Sequence, residues 1–583
     1  MRPTIVDDHL FLLELYEEHI KALPKSAEYL TPETVSPILA EAKKLADAVF
    51  TPLYRSGDEE GCHLDNGLVR TPAGFKEAYQ KYQADGWVGL EASETHGGQG
   101  LPKLIGTMVS EIVTGANQGF KLYPALTTGA YRVLNEVSSK CPDHELIVRM
   151  LATGAWTGTM CLTEPQAGTD LGKLTTKATP NGDGSYTLSG TKIFISGGDH
   201  DLTPNIIHLV LARIPDAPDG VGGISMFLVP RNDITNGEVG PRNHVHCSGV
   251  EHKMGIKASA TCTLNFEGAK GWMLGEPNRG LAPMFKMMNS ARVGSGMQGV
   301  AVAQAALDKA VTYAKERVQG TDEAGQSVTI IHHPDVKNNL MHIRSFVEGA
   351  RALGVWLTLQ TMTITEHPDE TTQESASDFL ALLTPVVKAH FTDQGMDACL
   401  RSQQIFGGHG YIREHGVEQH IRDLRITQLY EGTNGVQALD LVARKLLLHG
   451  GRPMTRWRAF VSRDLESLPK QDWNASLLTR FNAALDCLDR STDLMRDQLR
   501  TAPEQAKAGA TDYLHLFGTV ALAHVWLKIM HFAHNHRDRG SLYTDKLNTG
   551  AFYLNRVLPN AMGRADSITS GSVHALSIEP DRW

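Results

Sequence analysis

The sequence predicts a mainly α-helical protein interrupted by a small antiparallel β domain, in the order helix, sheet, helix, with a further helical domain at the C-terminus. Three observations carry this. Up to about residue 155 apolar residues recur at helical spacing. Over about 160–275 the texture changes to short β-prone runs separated by Gly, Pro, Asn and Asp. After GEPNRG (275–280) helical periodicity returns in long stretches. With 583 residues the chain exceeds one compact core. The boundaries expected are 1–158, 159–278, 279–450 and 451–583.

In TPETVSPILAEAKKLADAVF (31–50), Val35, Ile38, Ala42, Leu45 and Val49 mark one buried helical face. RSGDEEGCHLDNG (55–67) reads as a turn-rich piece, and PAGFKEAYQKYQADGW (72–87) as the next amphipathic helix. YTLSGTKIFISGG (186–198), IIHLVLARI (206–214), GGISMFLVP (222–230) and TCTLNFEGA (261–269) supply the strands. Residues 284–318, 375–408 and 436–450 supply long helices. HGGRPMTRW (449–457) reads as a junction. Beyond it Leu514, Phe517, Ala521 and Val525 share a helix face. That last segment holds no cluster of catalytic residue types, so packing or subunit association is its expected role.

Composition is that of an ordinary soluble protein, 41% apolar and 21% charged. The formal charge of −9 argues against a general nucleic-acid binder, whose affinity comes from basic groups facing phosphates. No apolar run approaches the roughly 20 residues that cross a bilayer. Asp7, Asp8, Glu14, Glu17 and Glu18 make the N-terminus unlike a secretory signal. The seven cysteines are scattered without a CxxC pair, which fits reduced thiols, a cytoplasmic location and no metal site.

GSGMQG (294–299) matches the dinucleotide-binding GxGxxG pattern. That pattern works only at a strand-to-helix turn. Here helical sequence runs on both sides, so the small residues are expected to serve helix packing, and a nicotinamide site is rejected.

Five stretches carry possible chemistry. MCLTEPQAGTDLG (160–172) offers Thr163, Thr169 and backbone N–H groups around a turn shaped by Pro165 and Gly168, or else is an ordinary turn. KIFISGG (192–198) places Phe194, Ile195 and Ser196 before two glycines, as a strand end or as a seat for a stacked ring. QIFGGHGY (404–411) ends a helix in glycines that expose backbone N–H groups. In YAKERVQG (313–320), Arg317 closes a helix; it interacts with the helix dipole or offers a fork to phosphate oxygens. QLYEGTNGVQ (428–437) puts Glu431 just before a helix start, as a dipole-stabilising acid or as a general base with small neighbours.

Taken in order, these five resemble motifs of the acyl-CoA dehydrogenase flavoproteins. TEPQAGTD is similar to that family's TEPxAGSD, KIFIS to its WIT strand and ERVQG to its ERxxFG helix end. QIFGGHGY resembles QxxGGxGY, and LYEGTNGVQ resembles IYEGTxxIQ. The match covers roughly 80–450. GDEEGCHLDNGLVRTPAGFKEAYQ, GGQGLP, RVQG and the extra C-terminal domain resemble the enlarged bacterial branch, which includes fatty acyl-CoA enzymes and 3-methylmercaptopropionyl-CoA dehydrogenase.

The resemblance implies noncovalent FAD and oxidation of an acyl-CoA thioester to the trans-2-enoyl-CoA. An α-hydrogen of a thioester is weakly acidic, and a positioned base contributes about 10²–10⁴-fold to its removal. By resemblance that base is Glu431, with Gly432 keeping its far side clear. Burial in a largely apolar acyl channel is expected to raise the Glu431 pKa once substrate is bound. Some relatives carry the base immediately before an arginine matching Arg292; here that residue is Ala291. The resemblance implies that Met160, Leu162, Thr163, Gly168 and Thr169 line the flavin and thioester region, with Phe194, Ile195 and Ser196. Arg317, Gln319, Gln404, Ile405, Gly407 and Gly408 are implied to hold the diphosphate and adenine end across a subunit interface. Thr433 and Asn434 are implied on the flavin side, and Asn289, Arg292, Tyr430 and Gly432 near substrate. Asn289 stands where many relatives carry Asp, and Gly435 replaces a frequent Gln. The implied partners are an acyl-CoA, an electron-transferring flavoprotein and a second copy in a homodimer. An acyl-CoA oxidase and a nucleic-acid-binding flavoprotein are the competing readings.

Overall fold

The computed structural model describes residues 4–468, 471 and 473–583. It divides into two units, Glu41–Ala291 on one side and Met1–Ala40 with Arg292–Trp583 on the other. The cuts fall inside two continuous helices, Pro32–Leu45 and Leu281–Glu316.

In the Glu41–Ala291 unit, helices surround an aromatic core in which Phe50 stacks on Phe120 at 4.3 Å between centroids. The stripe predicted over 31–50 is displaced at its end. Residues Ala46–Phe50 form a π turn, so Ala46 and Phe50 are buried where Val49 was expected. One extra residue per turn rotates the following side chains around the axis. The stretch expected to be turn-rich is partly regular. Pro52–Glu60 is helical, and His63–Asp65 pairs with Leu68–Arg70 across Asn66-Gly67, both at positive φ. That is the left-handed two-residue turn for which Asn-Gly is the usual sequence.

The sheet has seven strands. From one edge the order is Thr157–Cys161, Ile206–Ala212, Ser225–Pro230, Thr261–Leu274, Tyr186–Ser196 and Lys177–Pro180, with Val245–Val250 also paired to Thr261–Leu274. All four expected runs are strands, and all pairs but one are antiparallel. The exception corrects the expectation of a purely antiparallel domain: Thr157–Cys161 runs parallel to Ile206–Ala212. Two other strands intervene in sequence, which supplies the long connection a parallel pair needs. Ile206–Ala212 and Ser225–Pro230 are buried along their whole length, as strands covered on both faces must be.

In the other unit the long helices are Arg292 onward of Leu281–Glu316, Pro334–Glu366, Glu370–Phe406, Ala475–Thr501 and Ala510–Asn535. GSGMQG lies within the first, as expected. A Cβ at Gly296 would meet the Val387 carbonyl oxygen at 2.7 Å, and one at Gly299 would meet that of Phe391 at 2.6 Å. The glycines therefore let the first and third helices approach backbone to backbone. The Ile5–Leu15 helix places Asp8 against Arg351 and Lys546, a fully buried ion cluster within this same unit.

Ala510–Asn535 is long and apolar enough by length and composition to cross a membrane, and 83% of its most apolar window is buried inside the protein. Its predicted stripe, Leu514, Phe517, Ala521 and Val525, is buried in the unit core. All seven cysteines are free thiols.

Candidate active site around Glu431

Glu431 and Gly432 are consecutive residues in the left-handed region, at φ 58° and 85°. For a residue with a Cβ that conformation costs about 1–2 kcal/mol, and it persists where the surroundings over-determine it. Three side chains do so here. Arg292 Nε and Gln437 Nε2 both donate to the Glu431 carbonyl oxygen, at 3.3 and 3.0 Å. Lys388 Nζ donates to the Gly432 carbonyl at 2.7 Å and to Asn434 Oδ1 at 2.8 Å. The helix Asn434–Ala443 then starts, capped by Thr433, whose Oγ1 accepts from Val436 N at 3.4 Å.

The glycine's role differs from the one implied by resemblance. A Cβ at 432 would lie 2.7 Å from Gln437 Nε2, so that side is already filled by the amide that holds Glu431. Gly432 serves the backbone conformation and the close approach of Gln437.

Glu431 as a whole residue is half-buried. Desolvation by the surrounding protein pushes its carboxyl up to about 7, against the opposing pull of Arg292 and Lys388. Lys388 has no exposed surface, and burial pushes its ammonium down to about 8 against the pull of Glu431 and Asp393. Tyr430 donates its hydroxyl proton to Gln298 Oε1, which fixes the residue before the acid. Asn434 also donates to Asp393 Oδ1 at 2.7 Å.

In the same unit Tyr313 stacks on Phe406 at 4.1 Å, and its hydroxyl meets His409 Nδ1 at 2.8 Å. This brings the Arg317 and Gln404 segments together. Arg317, Gln319, Gln404, Gly407 and Gly408 are exposed, and nothing lies within 4 Å of a Cβ built at either glycine. Ile405 points into the core, which leaves only its backbone to meet a ligand.

In the Glu41–Ala291 unit a loop and a strand end form a second surface. Ile193 N donates to the Thr163 carbonyl at 2.9 Å, and Lys192 Nζ donates to the Leu162 carbonyl at 3.0 Å and to Glu164 Oε1 at 2.8 Å. Glu164 also accepts from the backbone N–H groups of Thr175 and Thr176. Burial pushes the Glu164 carboxyl up, but Lys192 and these bonds outweigh it and hold it at about 2. On this anchored edge Phe194 stands 59% exposed at φ 58°, an outward aromatic ring on a strained strand end. Met160, Leu162, Thr163 and Ser196 are half-buried, Gly168 and Thr169 are exposed, and Ile195 is in the core. Asn289 is exposed on its helix.

An open aromatic face beside hydroxyls and backbone N–H groups fits a flat heteroaromatic ring, and the open glycines at 407 and 408 with Arg317 fit a diphosphate. Each surface, within its own unit, fits one part of FAD. Sequence reasoning missed Glu164, Lys192, Lys388 and Gln437. The signal for Lys388 was present: it is one lysine in the apolar run LALLTPVVKAHF.

Three family models match the chain. Residues 159–269 match the acyl-CoA dehydrogenase middle domain, 278–447 the acyl-CoA dehydrogenase C-terminal domain, and 455–579 a domain described as acetyl-CoA dehydrogenase C-terminal like. A 3-methylmercaptopropionyl-CoA dehydrogenase of Ruegeria pomeroyi is 41% identical over 492 residues, 83% of each chain. A butyryl-CoA dehydrogenase of Syntrophomonas wolfei subsp. wolfei is 31% identical over 93% of this chain and 92% of its own. The solved structure of an acyl-CoA dehydrogenase from Bacillus anthracis, complexed with FAD, has a TM-score of 0.74 at 19% identity, over 94% of this chain and 89% of that one, and so shares the fold. The chain belongs to the acyl-CoA dehydrogenase family, oxidoreductases that act on CH–CH bonds.

Proposed function

We propose that this protein is an FAD-dependent acyl-CoA dehydrogenase that converts an acyl-CoA thioester to the trans-2-enoyl-CoA, with Glu431 as the base. The observation that carries the reading is Glu431 itself. It is a carboxyl held in a strained loop by Arg292, Gln437 and Lys388, with desolvation lifting its pKa to about 7. A general base works best when its pKa lies near the operating pH.

Glu431 takes the proton from the carbon next to the thioester carbonyl. Its hydrogen-bonded backbone keeps the carboxylate in one place, so no reorganisation is needed as the proton moves. By family likeness the Glu431 N–H faces the thioester oxygen and stabilises the negative charge developing there. FAD, when bound, supplies the acceptor for the hydride that leaves the β-carbon, and the C=C bond forms between the two carbons. The Thr163–Phe194 edge supports a flavin ring, and by family likeness Arg317, Gln404, Gly407 and Gly408 support a diphosphate and adenine end across a subunit interface.

The proposed substrate is a fatty acyl-CoA in the first step of β-oxidation. The Ruegeria relative supports 3-methylmercaptopropionyl-CoA as the alternative. The proposed electron acceptor is an electron-transferring flavoprotein in the cytoplasm. A homodimer is supported by the exposed apolar side chains of Tyr411 and Ile412; a solution mass of one chain or four chains would contradict it. The test of function is a panel of acyl-CoA thioesters of graded length, with the thioether substrate included, assayed with an artificial electron acceptor. Turnover of one class supports the reading. No turnover of any, or rapid hydrogen peroxide release in place of acceptor reduction, contradicts it.

A further inference from the structure

The Ala510–Asn535 helix, which the reaction does not use directly, connects to the Glu431 loop through an unbroken polar chain. His515 Nε2 lies 3.0 Å from Asp393 Oδ2. Asp393 Oδ1 accepts from Asn434 Nδ2 at 2.7 Å and from Gln428 Nε2 at 2.6 Å. Asn434 Oδ1 in turn accepts from Lys388 Nζ, whose second bond goes to the Gly432 carbonyl. On the far side, the Nδ1 atoms of His515 and His390 are 3.0 Å apart. The packing is built to admit this pair: a Cβ at Gly518, one turn beyond His515, would lie 2.4 Å from His390 Cγ.

We propose that His515 and Asp393 are positioning residues for Glu431, so that the C-terminal helical segment is a working part of the active site. The proposal rests on the dehydrogenase reading above. Its physical basis is the direction of each bond. An ionised Asp393 only accepts, so His515 Nε2 carries the proton facing it. With that donor and two amides in place, Asp393 has no need of Lys388, and the lysine stays on the Gly432 carbonyl. Burial pushes the Asp393 carboxyl up, but the bonds from His515, Gln428 and Asn434 hold it below its usual range. Removing His515 leaves a half-buried carboxylate short of a donor, and Lys388 is a cation that feels the Asp393 charge after the larger pull of Glu431. A lysine drawn toward Asp393 releases Gly432 and weakens its lowering effect on Glu431. The charged and titratable groups bearing on this chain are Arg292 and Lys388 toward Glu431, with His390, which burial pushes well down, and, more remotely, Arg564 on the histidine side.

The test compares His515→Leu with His515→Gln, which keeps an N–H donor, in the FAD-loaded enzyme. Expected for His515→Leu is a fall in kcat of about tenfold with KM unchanged and FAD content retained, and an acid limb of the pH–kcat profile moved up by about half a unit. His515→Gln should recover most of the kcat. Parent kcat and parent acid limb in His515→Leu would overturn the proposal. If His515→Leu does not fold, Asp393→Asn decides: a kcat lowered by about fivefold or more supports it, and parent kcat overturns it. Glu431→Gln in the same assay separates the two ideas. Loss of turnover there, alongside parent behaviour in His515→Leu, removes the positioning role and leaves the dehydrogenase reading standing.

Discussion

Lys388 donates from a fully buried position to the carbonyl oxygen of Gly432, the residue after the proposed base, at 2.7 Å. The bond fixes the loop, and the charge lowers the Glu431 pKa that desolvation raises. Lys388→Met removes both. The acid limb of the pH–kcat profile should move up by about half to one unit, because a base with a higher pKa ionises later as pH rises. The profile of steady-state turnover checks this.

Gly432→Ala forces a Cβ into φ 85° and to within 2.7 Å of Gln437 Nε2. The conformation costs about 1–2 kcal/mol, and displacing Gln437 releases the Glu431 carbonyl at a further cost of about 1 kcal/mol. Thermal unfolding should show a lower Tm, and kcat should fall more than KM rises.

How much of this was legible in the sequence follows from the range of the interactions. The helix after Thr433, the strands and the helical nature of GSGMQG rest on local periodicity and capping, which a sequence displays directly. The π turn at Ala46–Phe50 and the parallel edge strand Thr157–Cys161 do not. The first depends on packing of Phe50 against Phe120, and the second on a partner distant in sequence. Glu431 was legible through its motif. Its supports were not, because Arg292, Lys388 and Gln437 come from three separate helices and only folding brings them to one loop.

In the β domain, Glu164 and Lys192 form a pair with almost no exposed surface that anchors the Thr163 loop to the Phe194 strand end. Lys192→Met leaves the carboxylate buried without its cation and should destabilise by about 3–5 kcal/mol, with loss of FAD from the purified protein. The folded-state pKa of Glu164 lies below its usual value of 4.5, at about 2. Its contribution is therefore fully present above pH 4.5 and is lost as pH falls toward 2. Unfolding followed against pH should show a steeper acid loss in the parent than in a Glu164→Gln variant.

Glu431 has the opposite sign. Its folded-state pKa is raised from 4.5 to about 7, so the stability it contributes is fully present below pH 4.5 and is lost as pH rises through 7. Glu431→Gln should therefore stabilise the protein at pH 8 by about 1–3 kcal/mol relative to the parent. The two proteins should converge at low pH. Calorimetric Tm values across pH 5–8 check the trend.

The central claim is that one carboxyl starts the reaction. The measurement that tests it most directly is rapid mixing of the yellow, FAD-loaded enzyme with its preferred acyl-CoA, following loss of flavin colour in the parent and in Glu431→Gln. Fast bleaching in the parent and a rate reduced by about 10³-fold or more in the variant is the predicted result. Bleaching of Glu431→Gln at the parent rate, with FAD retained, would contradict it.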